Sequence, residues 1–184
     1  IFLCDLRAFA SLRWILIINM PRLIYSAVLY LLSPLFIVYL LWRSRRAPAY
    51  RERWAERFGF YELKPEKPPI WIHAVSVGEA QAALPLIDKL RERYPEHPVL
   101  ITTTTPTGSV RVREALGDDV MHVYAPYDLP FSVGRFLNQM QPVMAIIMET
   151  EIWPNIFHHC AKRKIPTILA NARMSARSAA GYRK

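Results

Sequence analysis

Short apolar, β-branched runs alternate with amphipathic helical stretches through the chain after residue 69. The runs that predict strands are Ile70–Val75, Val99–Thr104, Val120–Tyr124, Val143–Met148 and Thr167–Ala170. The stretches between them that predict helices are Ala80–Arg93, Gly108–Leu116, Phe131–Gln139 and Trp153–Arg163. This alternation is typical of βαβ units. It predicts an α/β fold, with a Rossmann-like parallel sheet flanked by helices, over residues 70–184.

A second constraint lies near the N-terminus, where no charged residue occurs between Leu23 and Trp42. A helix of about 20 apolar residues rises about 30 Å, which is enough to cross the hydrocarbon core of a bilayer. Tyr25 and Tyr39 lie toward its ends, where amphipathic rings favour the interface, and a kink at Pro34 is tolerated in membrane helices. We predict a membrane anchor helix at 23–42. A helix lying in one leaflet and a buried core helix are the alternatives.

The segment after this span is rich in arginine and aromatic side chains. Its arginines are Arg43, Arg45, Arg46, Arg51, Arg53 and Arg57, and its aromatic residues are Tyr50, Trp54, Phe58, Phe60 and Tyr61. By the positive-inside rule, the arginines predict that the C-terminal domain lies in the cytoplasm. Each would add about 1 kcal/mol of attraction to an anionic leaflet. We therefore predict a juxtamembrane basic, aromatic collar at 43–62, followed by a proline-rich linker at 63–69.

The overall charge also favours an anionic partner, since 24 Lys and Arg face 15 Asp and Glu, a net charge of +9. Because the positive charge clusters beside the anchor, anionic lipid is favoured and nucleic acid is not expected. Cys4 and Cys160 lie far apart, which argues against a disulfide framework or a cysteine zinc site. Residues 1–22 are predicted to be an N-terminal extension, and both Ile1 and Met20 stay open as the true start.

Two predicted strands are followed closely by a glutamate, at the sheet edge where open α/β proteins bind ligands. Glu79 ends Ser76-Val-Gly-Glu79, in which Gly78 would let backbone approach a ligand and the helix start favours an anion. Glu79 suits the first helical turn on dipole grounds as well. Glu149 lies at the end of the fourth strand and is harder to explain structurally, whereas Glu151 suits helix capping. Two carboxylates at one rim of a basic protein suggest a base and an electrostatic partner.

Other polar residues follow neighbouring strands. The Thr104 hydroxyl, in a run of threonines, could bind sugar or phosphate oxygens, or the run could simply suit a strand end. Asn171 and Arg173 follow the last strand. Arg173 could clamp a phosphate or carboxylate, or pair with Glu149. Neither a Walker loop nor a dinucleotide fingerprint occurs, and we expect no cofactor and no metal ion.

Taken together and in order, these blocks resemble the N-terminal half of the 3-deoxy-D-manno-octulosonic acid (Kdo) transferase family. The matching segments are Arg45-Arg-Ala-Pro-Ala-Tyr-Arg51, Arg57-Phe-Gly-Phe-Tyr61, His73-Ala-Val-Ser-Val-Gly-Glu79, Thr103-Thr-Thr-Pro-Thr-Gly-Ser109, Tyr127-Asp-Leu-Pro130, Met148-Glu-Thr-Glu-Ile-Trp-Pro-Asn155 and Asn171-Ala-Arg-Met-Ser175. The family has the GT-B glycosyltransferase fold of two Rossmann-like domains. Its N-terminal domain holds the lipid acceptor, and its C-terminal domain holds the CMP-Kdo donor.

The resemblance implies inverting transfer of Kdo from CMP-Kdo to the lipid A precursor lipid IVA, in lipopolysaccharide biosynthesis. It also implies a place at the bacterial inner membrane, with a single anchor and the catalytic domain on the cytoplasmic face. Glu79 corresponds to the family's proton acceptor and Glu149 to its transition-state-stabilising carboxylate. The candidate acceptor-binding residues are Ser76, Gly78, Thr104, Asn171 and Arg173.

The chain ends at Lys184, before any second Rossmann domain. We therefore expect an inactive fragment of a longer transferase, with the donor-binding domain missing. Two alternatives are another membrane-anchored, lipid-linked glycosyltransferase of the same architecture and a non-catalytic membrane adaptor with a Rossmann-like binding domain.

Overall fold

The computed structural model describes residues 13–149 and 151–172, with side chains from residue 21 onward. A long helix, α1 (Arg13–Arg46), precedes an α/β domain. A 3₁₀ turn at Pro48–Arg51 and a short helix, α2 (Trp54–Arg57), connect the two. The predicted linker at 63–69 forms an irregular segment that leads into the first strand.

Five strands alternate with four helices in the described domain. Its elements in order are β1 (Ile70–His73), α3 (Val77–Arg93), β2 (Val99–Thr103), α4 (Pro106–Leu116), a 3₁₀ turn (Gly117–Asp119), β3 (Met121–Tyr124), α5 (Pro130–Met140), β4 (Met144–Met148), α6 (Pro154–Lys162) and β5 (Thr167–Ala170). The predicted α/β fold with an N-terminal apolar helix is confirmed. Each predicted strand and helix is present, and only the ends differ by a few residues.

The strands form one parallel sheet in the order β3-β2-β1-β4-β5. The chain therefore builds outward from β1 through β2 to β3 and then returns to the other side of β1 to place β4. His73 at the end of β1 pairs with Thr102 of β2 on one side and with Ile147 of β4 on the other. The crevice outside the carboxyl ends of β1 and β4 is the switch point at which doubly wound sheets bind ligands.

The three central strands, β2, β1 and β4, are buried on both faces and are therefore apolar without strict alternation, whereas the edge strand β5 is largely exposed. One core, centred on Ile72, lies between the sheet and helices α3 and α4. The other, centred on Trp71, lies between the sheet and helices α5 and α6. Because successive strand side chains point to opposite faces, adjacent residues of β1 fill different cores.

Helix α1 is longer than the predicted anchor at 23–42. It starts within the predicted extension at 1–22 and continues through Arg46 into the predicted collar. Pro21 and Pro34 both lie inside it. Within the described residues, one helix, Pro21–Arg46, has the length and apolar composition needed to cross a bilayer.

Part of the collar prediction at 43–62 is corrected by the structure. The Arg57 side chain is buried, its Nη1 donates to the Thr104 carbonyl at 2.8 Å, and its guanidinium stacks on the Tyr124 ring. Arg53 is also turned toward the domain, since its Nη2 donates to the His122 carbonyl at 2.7 Å. These two arginines bind free carbonyl groups near the ends of β2 and β3 and therefore do not face lipid headgroups.

Candidate functional site

The turns after β1 and β4 lie side by side, because these strands are hydrogen-bonded neighbours running in the same direction. The first turn leads from His73 through Ser76 into α3, and the second leads from Glu149 toward α6. Glu79 and Glu149 therefore belong to adjacent turns at one edge of the sheet, as the sequence predicted. This edge is the switch-point crevice described above.

Ser76 begins helix α3 as its N-cap, and its Oγ accepts the backbone N–H of Glu79 at 3.2 Å. The Glu79 side chain reaches back in turn, and its Oε2 accepts the backbone N–H of Val75 at 2.8 Å. This arrangement resembles a capping box, in which the side chains of the N-cap residue and of the third helical residue each accept a hydrogen bond from a backbone N–H group. The local sequence Ser-x-x-Glu therefore fixes the position of the Glu79 carboxylate.

The Glu79 side chain is buried, with the residue only 5% exposed. The open question of whether Glu79 has a structural role is answered, because it stabilises the start of α3. That role holds one carboxylate oxygen against the β1–α3 turn and gives the group a fixed orientation. A fixed orientation at the sheet edge is also what a proton acceptor needs.

Glu149 adopts a left-handed backbone conformation, with φ of 55°. Its N–H donates to the Ala170 carbonyl at 2.8 Å, so the residue is held between β4 and β5. A left-handed conformation costs a β-carbon-bearing residue about 1–2 kcal/mol, and such strain clusters at functional sites. Glu149 is half-buried. The strained backbone directs its side chain away from the path that a continuing strand would follow.

Asn171 repeats this geometry one strand away. It follows β5 with φ of 54°, and its side chain is exposed. Asparagine tolerates the left-handed region better than most residues, so this position carries less strain than Glu149. Arg173, the predicted cation of this edge, lies outside the described residues.

Two other predicted acceptor-binding residues have clear local roles. The Thr104 hydroxyl donates to the Val75 carbonyl at 2.9 Å, which ties the β2–α4 turn to the β1–α3 turn. Gly78 is exposed in the first turn of α3, and a β-carbon there would meet only the Ser76 Oγ, at 3.9 Å. Its helical backbone does not require glycine, so its lack of a side chain keeps the surface beside Ser76 open.

His73 is a residue of this edge that the sequence analysis did not single out. It is fully buried at the end of β1, and its Nδ1 lies 2.9 Å from the Thr102 Oγ1. Among the described residues its Nε2 has no hydrogen-bond partner. Burial lowers its pKa to about 4, so the ring is neutral at pH 7. The sequence feature that could have identified it is the presence of a histidine inside an otherwise apolar strand.

Asp128 is a second residue that the sequence analysis missed. Its buried carboxylate accepts the backbone N–H groups of Asn155 at 3.0 Å and Ile156 at 2.9 Å, and so caps helix α6 from another loop. Burial raises the pKa of this carboxyl to about 6, although these hydrogen bonds oppose the rise. The expectation that Glu151 caps this helix is corrected, because its Oε2 accepts the Trp153 indole N–H at 2.7 Å instead.

An apolar cavity of about 300 Å³ lies between α1 and the loops that follow β3 and β4. Its walls include Tyr25, Leu29 and Phe36 of α1, with Tyr127 and Trp153 from the domain. The Trp153 ring also packs edge-on against His73, with ring centroids 4.8 Å apart. One aromatic side chain therefore separates the cavity from the end of β1.

The described residues contain no group of three or more His, Cys, Asp or Glu side chains placed to hold a metal ion. His158 and His159 have rings packed edge to face, and the His159 Nδ1 lies 2.9 Å from an Arg163 guanidinium nitrogen. The Cys160 side chain of α6 is buried in the core between this helix and the sheet. These three side chains therefore serve packing and surface contacts.

Comparison with known proteins relates the chain to one family. A family model described as 3-deoxy-D-manno-octulosonic-acid transferase (kdotransferase) matches residues 52–184. The 3-deoxy-D-manno-octulosonic acid transferase of Haemophilus influenzae is 49% identical over 167 residues, which cover 90% of this chain and 39% of that protein.

Two further relatives agree. The Bordetella pertussis protein of the same name is 37% identical over 86% of this chain and 39% of its own length. A probable mitochondrial 3-deoxy-D-manno-octulosonic acid transferase of Arabidopsis thaliana is 40% identical over 84% of this chain and 35% of its own length. The chain spans about two fifths of the length of the curated relatives it matches.

Proposed function

Because the chain belongs to the 3-deoxy-D-manno-octulosonic acid transferase family, we propose that the full-length protein transfers Kdo from CMP-Kdo to lipid IVA. The observation that carries this proposal is the position of Glu79 and Glu149 in adjacent turns beside the β1–β4 switch point. Two carboxylates there would supply a base and an electrostatic partner for one reaction centre.

Glu79 would act as the general base. A sugar hydroxyl is a poor nucleophile at neutral pH, so a carboxylate within hydrogen-bond reach takes its proton during attack. The acceptor oxygen would form a bond to the anomeric carbon of Kdo, while the bond from that carbon to the CMP phosphate oxygen breaks and CMP keeps the electron pair. This single displacement inverts the anomeric centre. Since Glu79 Oε2 already accepts the Val75 N–H, the other carboxylate oxygen would take the proton.

Glu149 would stabilise the positive charge that develops on the sugar as the bond to CMP breaks. A preorganised charge aimed at the site of developing charge is among the largest contributions to catalysis. The strained backbone of Glu149 supports this assignment, because the fold maintains a costly conformation that positions one carboxylate. CMP is a good leaving group, so the proposal requires no strong general acid.

The acceptor would lie along the same edge. Ser76 and Gly78 leave an open surface at the start of α3, and the exposed Asn171 offers an amide beside Glu149. Thr104 would contribute mainly by holding the β1–α3 turn in place. Arg173, two residues after Asn171, would bind an anionic group of the acceptor. The CMP-Kdo donor would bind a second, C-terminal Rossmann-like domain, completing the GT-B architecture of the resemblance.

We place the protein at the cytoplasmic face of the bacterial inner membrane, attached through α1. The apolar helix with arginines at its C-terminal end supports this location, and so does the high identity to a bacterial relative. Anionic membrane lipids would be the partners of the exposed arginines. The transfer would use neither a metal ion nor a cofactor.

The test is transfer by the full-length protein supplied with CMP-Kdo and lipid IVA in detergent micelles, followed by mass spectrometry of the lipid. We expect the lipid to gain the mass of Kdo with release of CMP. Transfer only from a uridine- or guanosine-linked sugar would instead favour another lipid-linked glycosyltransferase. Retention of cellular function by a Glu79→Ala variant would favour a non-catalytic adaptor.

A further inference from the structure

Helix α1 packs against the rest of the protein along one face for most of its length. The buried or half-buried residues of the helix are Arg22, Tyr25, Ser26, Leu29, Ser33, Leu40 and Ser44. Their spacing of three, four or seven residues places them on one side of an α-helix. From Arg22, which binds Asn155, to Phe36, which stacks on Tyr127, this side extends about 21 Å at the rise of an α-helix. The contact with the domain therefore covers about two thirds of the thickness of the hydrocarbon core of a bilayer.

The N-terminal end of this face is attached by polar groups. Arg22 Nη1 and Ser26 Oγ each donate to the buried Asn155 Oδ1, both at 3.1 Å. The Tyr25 hydroxyl lies against the Asp128 carboxylate. Asn155 is itself fixed, since its Nδ2 donates to the Asp128 carbonyl at 2.6 Å. A polar cluster therefore holds this end of α1 against the first turn of α6.

A second contact with the domain lies farther along the helix, where Phe36 stacks on Tyr127 of the β3–α5 loop. Ser44, near the C-terminal end, is covered by the turn that directly follows the helix, from which Arg51 Nε donates to its hydroxyl at 2.9 Å. If α1 crossed a bilayer along the membrane normal, Arg22 and Phe36 would differ in depth by about 21 Å. A domain on one side of the membrane could not then contact both residues without entering the hydrocarbon core.

The opposite face of α1 is apolar and exposed. Its most exposed residues are Leu31 at 78%, Leu35 at 64%, Ile24 at 63% and Val38 at 62%. Arg43 and Arg46 are exposed at the C-terminal end of the helix. Within the described part of the chain, neither forms an ion pair with a carboxylate. An apolar stripe that ends in unneutralised arginines matches a leaflet with anionic headgroups.

We propose that α1 lies in the plane of the membrane, within one leaflet, and does not span the bilayer. Its outer face contacts acyl chains, while its inner face stays on the catalytic domain through the Asn155 and Asp128 cluster. The inference rests on the membrane attachment assigned under the proposed function and deepens it. It also holds the switch-point edge at the membrane surface, because α1 packs on the loops that follow β3 and β4.

Depth measurements on the outer face test this proposal. The variants are Ile24→Cys, Leu31→Cys and Val38→Cys of the full-length protein, in a background with Cys4→Ser, Cys160→Ala and every further cysteine of the full-length protein replaced. Each variant carries a nitroxide label and is reconstituted into phosphatidylethanolamine and phosphatidylglycerol vesicles. These positions are seven residues apart and share one face. An in-plane helix gives all three labels the same depth in electron paramagnetic resonance accessibility measurements. A spanning helix separates successive labels by about 10 Å in depth, and that result would overturn the proposal.

Cross-linking in the same vesicles tests the docked face. The Tyr30 hydroxyl lies 3.4 Å from the Phe131 backbone nitrogen, and both side chains are largely exposed. We expect Tyr30→Cys with Phe131→Cys to be joined by a short bis-maleimide, whereas Leu31→Cys with Phe131→Cys is not, because Leu31 faces away. Equal yields for the two pairs would contradict docking in the membrane.

The depth assay also separates this inference from the proposed function. It requires no donor or acceptor, so a Glu79→Gln variant should give the same three depths while losing transfer. A protein that transfers Kdo in micelles but does not bind the vesicles would refute the in-plane helix and leave the transferase assignment intact.

Discussion

At the scale of single residues, Glu79 combines a structural contact with a proposed chemical role. Its carboxylate accepts the Val75 N–H, and its own N–H donates to Ser76. A glutamine retains an acceptor oxygen for Val75 but cannot serve as a carboxylate base. The two roles can therefore be separated by one substitution.

We expect Glu79→Gln to lower kcat for Kdo transfer about 10²–10⁴-fold, the range for loss of a general base, with the urea midpoint nearly unchanged. Glu56→Gln is the matched control, because the Glu56 Oε2 also accepts a backbone N–H, that of Tyr124 at 2.7 Å. The control should keep transfer within about threefold. Equal activity of the two variants would remove Glu79 from the mechanism.

Glu149 offers a test in which stability and activity move in opposite directions. Because glycine adopts a φ of 55° without steric cost, Glu149→Gly should raise the free energy of unfolding by up to about 1 kcal/mol. The same variant should lose most transfer activity, since the proposed stabilising carboxylate is gone. Urea unfolding and a transfer assay on one preparation measure both effects.

The control for that experiment is Lys164→Gly, at an exposed position after α6 with φ of 58°. It should gain similar stability and keep full transfer. If Glu149→Gly stays active, the strained conformation serves the fold alone.

At the scale of elements, the segment after α2 is held tightly against α5. Gly59 has φ of 84°, and a β-carbon there would lie 2.6 Å from the Ser132 backbone carbonyl oxygen. Arg135 of α5 also donates its Nε to the Gly59 carbonyl and stacks on Phe60. This close approach fixes how the predicted collar segment joins the domain.

We expect Gly59→Ala to lower the free energy of unfolding by about 3 kcal/mol, from backbone strain and overpacking together. Gly117→Ala is the control, because Gly117 also has positive φ, 52°, but a β-carbon there meets nothing within 4 Å. It should cost about 1–2 kcal/mol, from backbone strain without overpacking. Equal losses in urea denaturation would show that the approach to Ser132 relaxes freely.

At the scale of the whole molecule, buried titratable groups make stability depend on pH. Burial lowers the pKa of His73 to about 4, and burial together with the Arg53 guanidinium lowers that of His122 to about 3. Between pH 6.5 and 4 the unfolded chain binds protons at these positions and the folded chain does not. Stability therefore falls as pH drops through that window. Asp128 acts in the opposite direction, since its raised pKa of about 6 lets the folded state bind a proton first.

We expect the free energy of unfolding to decrease from pH 6.5 to pH 4.5, and His73→Asn to flatten that decrease. If unfolding takes up one proton fewer, the slope of the free energy of unfolding against pH becomes smaller by about 1.4 kcal/mol per pH unit. Asp128→Asn should steepen it, because the opposing group is lost. The measurement is urea denaturation in detergent at several pH values, and parallel slopes for wild type and His73→Asn would refute the assignment.

Local features of the chain could be predicted because neighbours in sequence determine them. The β1–α3 turn is an example: the sequence placed Glu79 in the first turn of the helix, although it did not identify Ser76 as the cap that the structure shows. The positions of the strands and helices also follow from local periodicity. The ordered blocks from Arg45 to Ser175 were sufficient to indicate the family.

The tertiary structure decided which distant groups meet. Arg22 and Asn155 lie 133 positions apart, Asp128 caps a helix that begins at Pro154, and Arg57 is buried beneath Thr104. Composition predicted a lipid-facing arginine at position 57 and gave no partner for Arg22 or Asp128. A residue's own chemistry sets what it can bind, but its partners depend on the order of the strands and the packing of α1. Those are fixed only when the whole chain buries its apolar surface and satisfies the polar groups enclosed with it.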